Sequence, residues 1–177
     1  MTRPPRKLDS QKLHDYALKA LSGRAQSLGE LREKLRRRAE NIEDIDGVML
    51  RLKEAGYLND RKYAEGFAAA RLQNEGHGKM RVMRDLRQHR VAPKLAEQVI
   101  EQTFRETDET QLIEAYLARK YRGKALGTFL SEEKNLASVF RRLRYAGFAA
   151  GTSIKVLKGY AQQADELESM DIEEPEA

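Results

Sequence analysis

The chain has no cysteine, no tryptophan and only four prolines among 177 residues. Without thiols it has neither a disulfide frame nor a thiolate metal site. No stretch approaches the ~18 consecutive apolar residues that a membrane span needs. The opening residues MTRPPRK carry charge and two prolines with no apolar run behind them, so a secretory signal is not expected. Together these absences point to a soluble, intracellular protein. Aromatic residues make up 7 %. With Leu, Ala, Arg, Glu and Lys dominant, the composition suits surface-rich helices better than a sheet or a thick core.

What the chain has in abundance is charge, at 34 % against roughly 25 % in ordinary globular proteins. The net charge is +5 but unevenly distributed. From Asp165 the sequence reads DELESMDIEEPEA, with seven carboxylates and no base, leaving 33 bases against 21 acids before it, a body of +12. Such a body suits an acidic partner, with nucleic acid the first candidate. For any single arginine, ordinary solvation of a thin helical molecule is the competing explanation.

The stretch from Arg24 to Tyr63 sets a pattern used again later. Ser27 and Glu30 have the spacing of a capping box, in which each side chain accepts from the other's backbone amide. Leu28, Leu31 and Leu35 share one face of the helix that follows. Ile45, Val48, Met49 and Leu52 mark another helix, closed by Gly56, which adopts the left-handed conformation cheaply. Asp60 is placed to cap the next helix. An earlier helix from Ser10 carries Leu13, Tyr16, Ala17 and Leu21.

The pattern recurs with Tyr63, Ala64 and Phe67, then Val82 and Leu86, then a helix starting near Pro93. It returns with Leu112, Tyr116 and Leu117, then Leu136 and Leu143, then Ile154 and Leu157. Leu35, Leu86 and Leu143 lie 51 and 57 residues apart. This periodicity predicts an all-α chain of three three-helix repeats, over residues 10–59, 60–107 and 108–162. Residues 1–9 read as a disordered basic arm and residues 163–177 as a disordered acidic tail. Residues 123–128, with two glycines, read as a long loop.

Rotating by 100° per residue turns the middle helix of each repeat into a testable surface. Arg37 faces away from the first pair of leucines, with Arg36 and Arg38 on either side. Arg84 faces away from Val82 and Leu86, flanked by Arg81 and Arg87. Arg141 and Arg142 straddle the direction opposite Leu136 and Leu143, with Arg144 nearer the edge. Arg36, Arg37, Arg81, Arg84, Arg87, Arg141, Arg142 and Arg144 are therefore the candidate contact residues. Guanidinium groups make bidentate contacts with phosphate or carboxylate, and phosphate binding would weaken steeply with salt.

Catalytic constellations do not assemble. His14, His77 and His89 are scattered, with no partner at helical zinc spacing. Gly76-His77-Gly78-Lys79 lacks the spacing and hydroxyl of a phosphate loop. Asp44-Ile45-Asp46-Gly47 lacks the terminal Glu of a calcium loop, since Ala55 stands there. The spacing of Tyr16, Tyr63 and Tyr116 favours packing over base stacking.

The run Arg24-x-x-Ser27-x-x-Glu30-Leu31-x-x-Lys34-Leu35, followed by Gly56-Tyr57-Leu58-Asn59-Asp60-x-x-Tyr63-Ala64, resembles the RecX family of regulatory proteins. Gly78 with Val82 and Leu86 is similar to that family's second repeat, and Arg141 to Phe148 to its third. The chain departs from it at His89-Arg90-Val91, where the family often has Lys-Gly-Ile. The resemblance covers roughly residues 12–160. It implies an elongated, curved array of three repeats acting as a non-enzymatic, monomeric modulator of the RecA recombinase. It also implies a cytoplasmic protein that binds the RecA–DNA filament without a cofactor, in DNA repair and recombination. A stand-alone DNA-binding helical module without a RecA partner is the competing class, and a protein scaffold unrelated to DNA a third.

Overall fold

The computed structural model describes residues 7–162 together with Ala164 and Leu167. Its helices are α1 (Ser10–Gly23), α2 (Leu28–Arg38), α3 (Asp44–Glu54), α4 (Asp60–Ala70), α5 (Lys79–Gln88) and α6 (Pro93–Thr103). They continue with α7 (Glu109–Lys120), α8 (Leu126–Leu130), α9 (Glu133–Tyr145) and α10 (Ala150–Lys158). A π-turn over Arg71–Glu75 extends α4. Among the described residues the only extended pairing is an isolated parallel bridge between Leu8 and Ala39.

The chain divides into two compact units. The first takes Met1–Phe67 and Leu86–Val99, the second Ala68–Asp85 and Ile100–Ala177, so α4, α5 and α6 each contribute to both. In the first unit α1, α2 and α3 close around Leu13, Ala17, Leu31, Leu35, Ile45, Val48 and Leu52. In the second, α7, α8, α9 and α10 enclose Ile113, Leu117, Leu130, Leu136, Phe140, Leu143, Phe148 and Leu157. Each fully buried side chain of this size contributes about 1.5–3 kcal/mol through removal from water.

The capping box forms as the sequence predicts. Ser27 Oγ accepts from the Glu30 amide at 3.0 Å, and Glu30 Oε2 accepts from the Ser27 amide at 3.3 Å. Asp60 does not cap α4. Asn59 Oδ1 accepts from the Lys62 amide at 2.9 Å, while Asp60 Oδ1 accepts from the Leu28 amide at 2.6 Å. The side chain at the start of one helix thus satisfies an orphan amide at the start of another.

Three other expectations meet the structure differently. Leu126, Phe129 and Leu130 sit at helical spacing and pack on the second core, so the expected loop over residues 123–128 gives way to the short α8. Residues 1–6 of the expected arm lie outside the described residues. Leu8, however, is tied down: its amide donates to Arg38 O at 2.8 Å and its carbonyl accepts from Glu40 N at 2.9 Å. In the expected acidic tail, Ala164 and Leu167 are buried in the second core, and the rest of 163–177 lies outside the described residues.

Three helices end in the same bonded turn. Tyr57 N donates to Leu52 O, Val91 N to Leu86 O, and Phe148 N to Leu143 O, at 2.9, 3.1 and 3.1 Å. The residue just before each of these donors has positive φ: Gly56 at 77°, Arg90 at 57° and Gly147 at 92°. These are the left-handed positions of a Schellman-type stop. Arg90 occupies one of them with a full side chain, at the position where the family resemblance places glycine.

The last two of these turns also receive the start of another middle helix. Gly78 N donates to Ala146 O at 2.8 Å and Met80 N to Gly147 O at 3.1 Å. A Cβ on Gly147 would lie 2.1 Å from Arg81 N, so the α5 backbone docks where no side chain fits. In the first unit the start of α2 docks on the turn after α5. A Cβ on Gly29 would come within 2.5 Å of Arg90 O and Cβ, and the Ser27 hydroxyl donates to the His89 carbonyl. The Leu86 and Leu143 periodicity thus reflects a repeated backbone-to-turn junction.

Candidate functional site

The eight candidate arginines divide by what they touch. On α2, Arg36 is exposed with no partner among the described residues, and Arg37 is exposed with only a 3.6 Å pairing to Glu33 one turn away. Arg87, near the end of α5, is likewise exposed and without a partner among the described residues. On α9, Arg141 projects freely into solvent in the same sense. These are the guanidinium groups available to an anionic partner.

The other four are engaged. Arg142 Nη1 donates to the Tyr121 hydroxyl at 3.2 Å, and Arg144 Nη1 to the Phe148 carbonyl at 2.6 Å, closing the turn after α9. Arg84 Nη2 donates to the Tyr145 carbonyl at 3.1 Å. Arg81 Nε lies 3.0 Å from Asp85 Oδ1, close enough for an ion pair but not aligned as a hydrogen bond.

Asp85 is the anchor of this half of the site. Its side chain is only 6 % exposed, and Arg71 Nε also approaches it, at 3.6 Å. A carboxylate so buried needs a countercharge, and two guanidinium groups supply it. Arg71 also pairs with Glu75, while Arg119 donates to the Asn74 and Glu75 carbonyls and holds the π-turn. Arg81 and Arg84 then stand over the Tyr145 ring, 4.8 and 5.3 Å from its centroid.

A second polar cluster belongs to the first unit. Glu30 receives Arg24 Nη2 at 3.0 Å, His89 Nδ1 at 2.9 Å and the Tyr63 hydroxyl at 3.5 Å. Burial pushes the Glu30 carboxyl upward, but the hydrogen bonds from Arg24, His89 and the Ser27 amide outweigh it and leave it below its ordinary range. Tyr63 is pushed up to about 12, first by burial and then by the Glu30 charge, so its phenol stays neutral.

Grooves of about 490 and 570 Å³, one in each unit, are lined by none of the eight arginines. The exposed cations therefore act elsewhere than in these two grooves. Helical rotation identified the outward residues but missed their partners. The i,i+4 spacing of Arg81 with Asp85 is the signal that would have shown one of them. Contacts such as Leu28 with Asp60 leave no local trace.

Comparison with known proteins follows the same lines. A family profile described as RecX, second three-helix domain, matches residues 59–100. "Regulatory protein RecX" of Trichlorobacter lovleyi is 31 % identical over 132 residues, covering 75 % of this chain and 84 % of that protein. The protein of the same name from Vibrio parahaemolyticus is 32 % identical over 135 residues, covering 76 % and 83 %. The crystal structure of RecX from Lactobacillus salivarius superposes with a TM-score of 0.63 over 89 % of this chain and 97 % of that one. At 18 % identity that likeness speaks for the fold, which is all-helical in the described residues here as well. Among the described residues no helix is long and apolar enough to cross a membrane.

Proposed function

This chain belongs to the RecX family of regulatory proteins, and from that premise we propose that it binds the RecA–DNA filament and restrains RecA activity. One observation carries the reading. Three helices offer exposed arginine with no carboxylate holding it among the described residues: Arg36 on α2, Arg87 on α5 and Arg141 on α9. An anionic filament presents a repeating row of phosphates and carboxylates, and a protein with repeating cations matches it by contacts of the same kind at each step. Bridging neighbouring protomers would slow filament growth and ATP turnover without any chemistry in this chain.

The test is ATP hydrolysis by RecA on single-stranded DNA with increasing amounts of this protein. A regulator of the filament lowers the rate near one equivalent, and lowers it less as salt rises, because counterions are released on binding. An unchanged rate at stoichiometric amounts would sink the proposal. Unchanged ATPase together with tight binding to naked duplex DNA would point instead to a stand-alone DNA-binding module.

A further inference from the structure

Tyr145 is 58 % exposed at the end of α9, and two guanidinium groups pack on it. Other described cation–π pairs involve rings that are partly or wholly buried: Arg38 on Tyr16, Arg119 on Tyr116, Lys124 on Phe129 and Arg142 on Tyr121. Those contacts finish the packing of a core edge. Tyr57 is as exposed as Tyr145, at 60 %, but no described cation stands over it. Tyr145 differs from both groups.

Its surroundings are also held in place. Arg81 is pinned by the buried Asp85, and Arg84 by the carbonyl of Tyr145 itself. The α5 backbone that carries both is bonded to the turn after α9 through Gly78 and Met80. Arg141 lies one helical turn before Tyr145, exposed and without a partner among the described residues. Asp85 offsets the charge of Arg81, whereas Arg84 donates to a neutral carbonyl and keeps its full charge beside the ring.

An open aromatic ring held beside two cations, with a further free cation one turn away, has the composition of a single-strand binding site. Bases stack on the ring while guanidinium groups take the phosphates, and the stacking tolerates any sequence. The geometry points to Tyr145, held in place by Arg81 and Arg84, as a stacking platform for an unpaired base of single-stranded nucleic acid, with Arg141 taking a flanking phosphate. This deepens the filament reading by naming a nucleic-acid contact, and it rests on that reading only for where the strand comes from.

Because the chain has no tryptophan, Tyr145→Trp introduces a single reporter. Titrating the full-length Y145W protein with a thymidine 20-mer should quench its fluorescence, since the base stacks on the indole. Tyr145→Phe should bind like the parent, whereas Tyr145→Ala should bind about tenfold more weakly. Its salt slope should not change, because stacking releases no counterions, while Arg141→Gln should flatten the slope by roughly 0.7. On an abasic 20-mer of the same charge, Y145A and the parent should bind alike.

Unquenched Y145W at saturating oligonucleotide, or unaltered affinity in Y145A, would overturn the assignment. So would a Y145A protein that keeps oligonucleotide affinity but no longer inhibits RecA, since the ring would then be touching protein. Circular dichroism of each variant separates these results from misfolding, and Y145F and Y145W keep the question open to decision should Y145A not fold. Loss of RecA inhibition by the parent protein would count against the filament reading alone.

Discussion

Replacing Ser27 by alanine removes one hydroxyl that does two jobs. It accepts from the Glu30 amide at 3.0 Å and donates to the His89 carbonyl, and the residue is 0 % exposed. Loss of an N-cap costs about 1 kcal/mol. Leaving a part-buried carbonyl without its donor costs about 1–3 kcal/mol more, because no water takes the vacated place without rearrangement. Together these give a destabilisation of about 2–4 kcal/mol, or roughly 4–16 °C in Tm for a chain of this size. Urea denaturation followed by helical ellipticity at 222 nm reads it, with an unchanged slope against denaturant showing that the folded state was affected. A loss below about 0.5 kcal/mol would be that of an ordinary surface substitution and would refute the dual role.

Arg90→Gly should stabilise the protein by about 1 kcal/mol in the same assay, since the left-handed φ of 57° is strained for arginine and free for glycine. Gly147→Ala should destabilise the second unit by about 3 kcal/mol, as its Cβ would meet the Arg81 backbone at a φ of 92°. The Glu30 carboxyl is depressed in the folded protein, so its contribution is present above the ordinary carboxylate pKa and is lost as pH falls through the folded value. Melting curves from pH 6 to pH 3 should therefore fall less steeply for Glu30→Gln than for the parent. Tyr63 works in the opposite sense: its folded pKa of about 12 means stability lost as pH rises from about 10 towards that value, a loss that Tyr63→Phe should lack.

How much of this was visible in the sequence follows from the range of each interaction. The capping box at Ser27 and Glu30, the stop at Gly56 and the apolar stripes of α2, α3 and α9 all depend on neighbours within a few residues, and each formed as read. Asp60 was misassigned because a carboxylate at a helix start looks like that helix's cap. Only the tertiary fold brings the Leu28 amide, 32 residues away, to it instead. The arginines show the same boundary. Helical rotation separates outward from inward, which suffices for Arg36, Arg87 and Arg141. It says nothing of Tyr145, whose cations Arg81 and Arg84 come from a helix some sixty residues earlier. Leu8 and Leu167, assigned to disordered ends on the strength of their charged neighbours, are held by contacts that composition does not encode.

The most direct measurement changes at once three guanidinium groups that have no partner among the described residues. Arg36→Gln, Arg87→Gln and Arg141→Gln, combined in one chain, remove one exposed cation from each of α2, α5 and α9 without touching a core residue. If those cations grip the filament, the triple variant keeps its helical ellipticity and Tm. It should then need at least roughly tenfold more protein to halve RecA ATP hydrolysis on single-stranded DNA near 0.1 M salt. A triple variant that inhibits as well as its parent would contradict the binding surface described here.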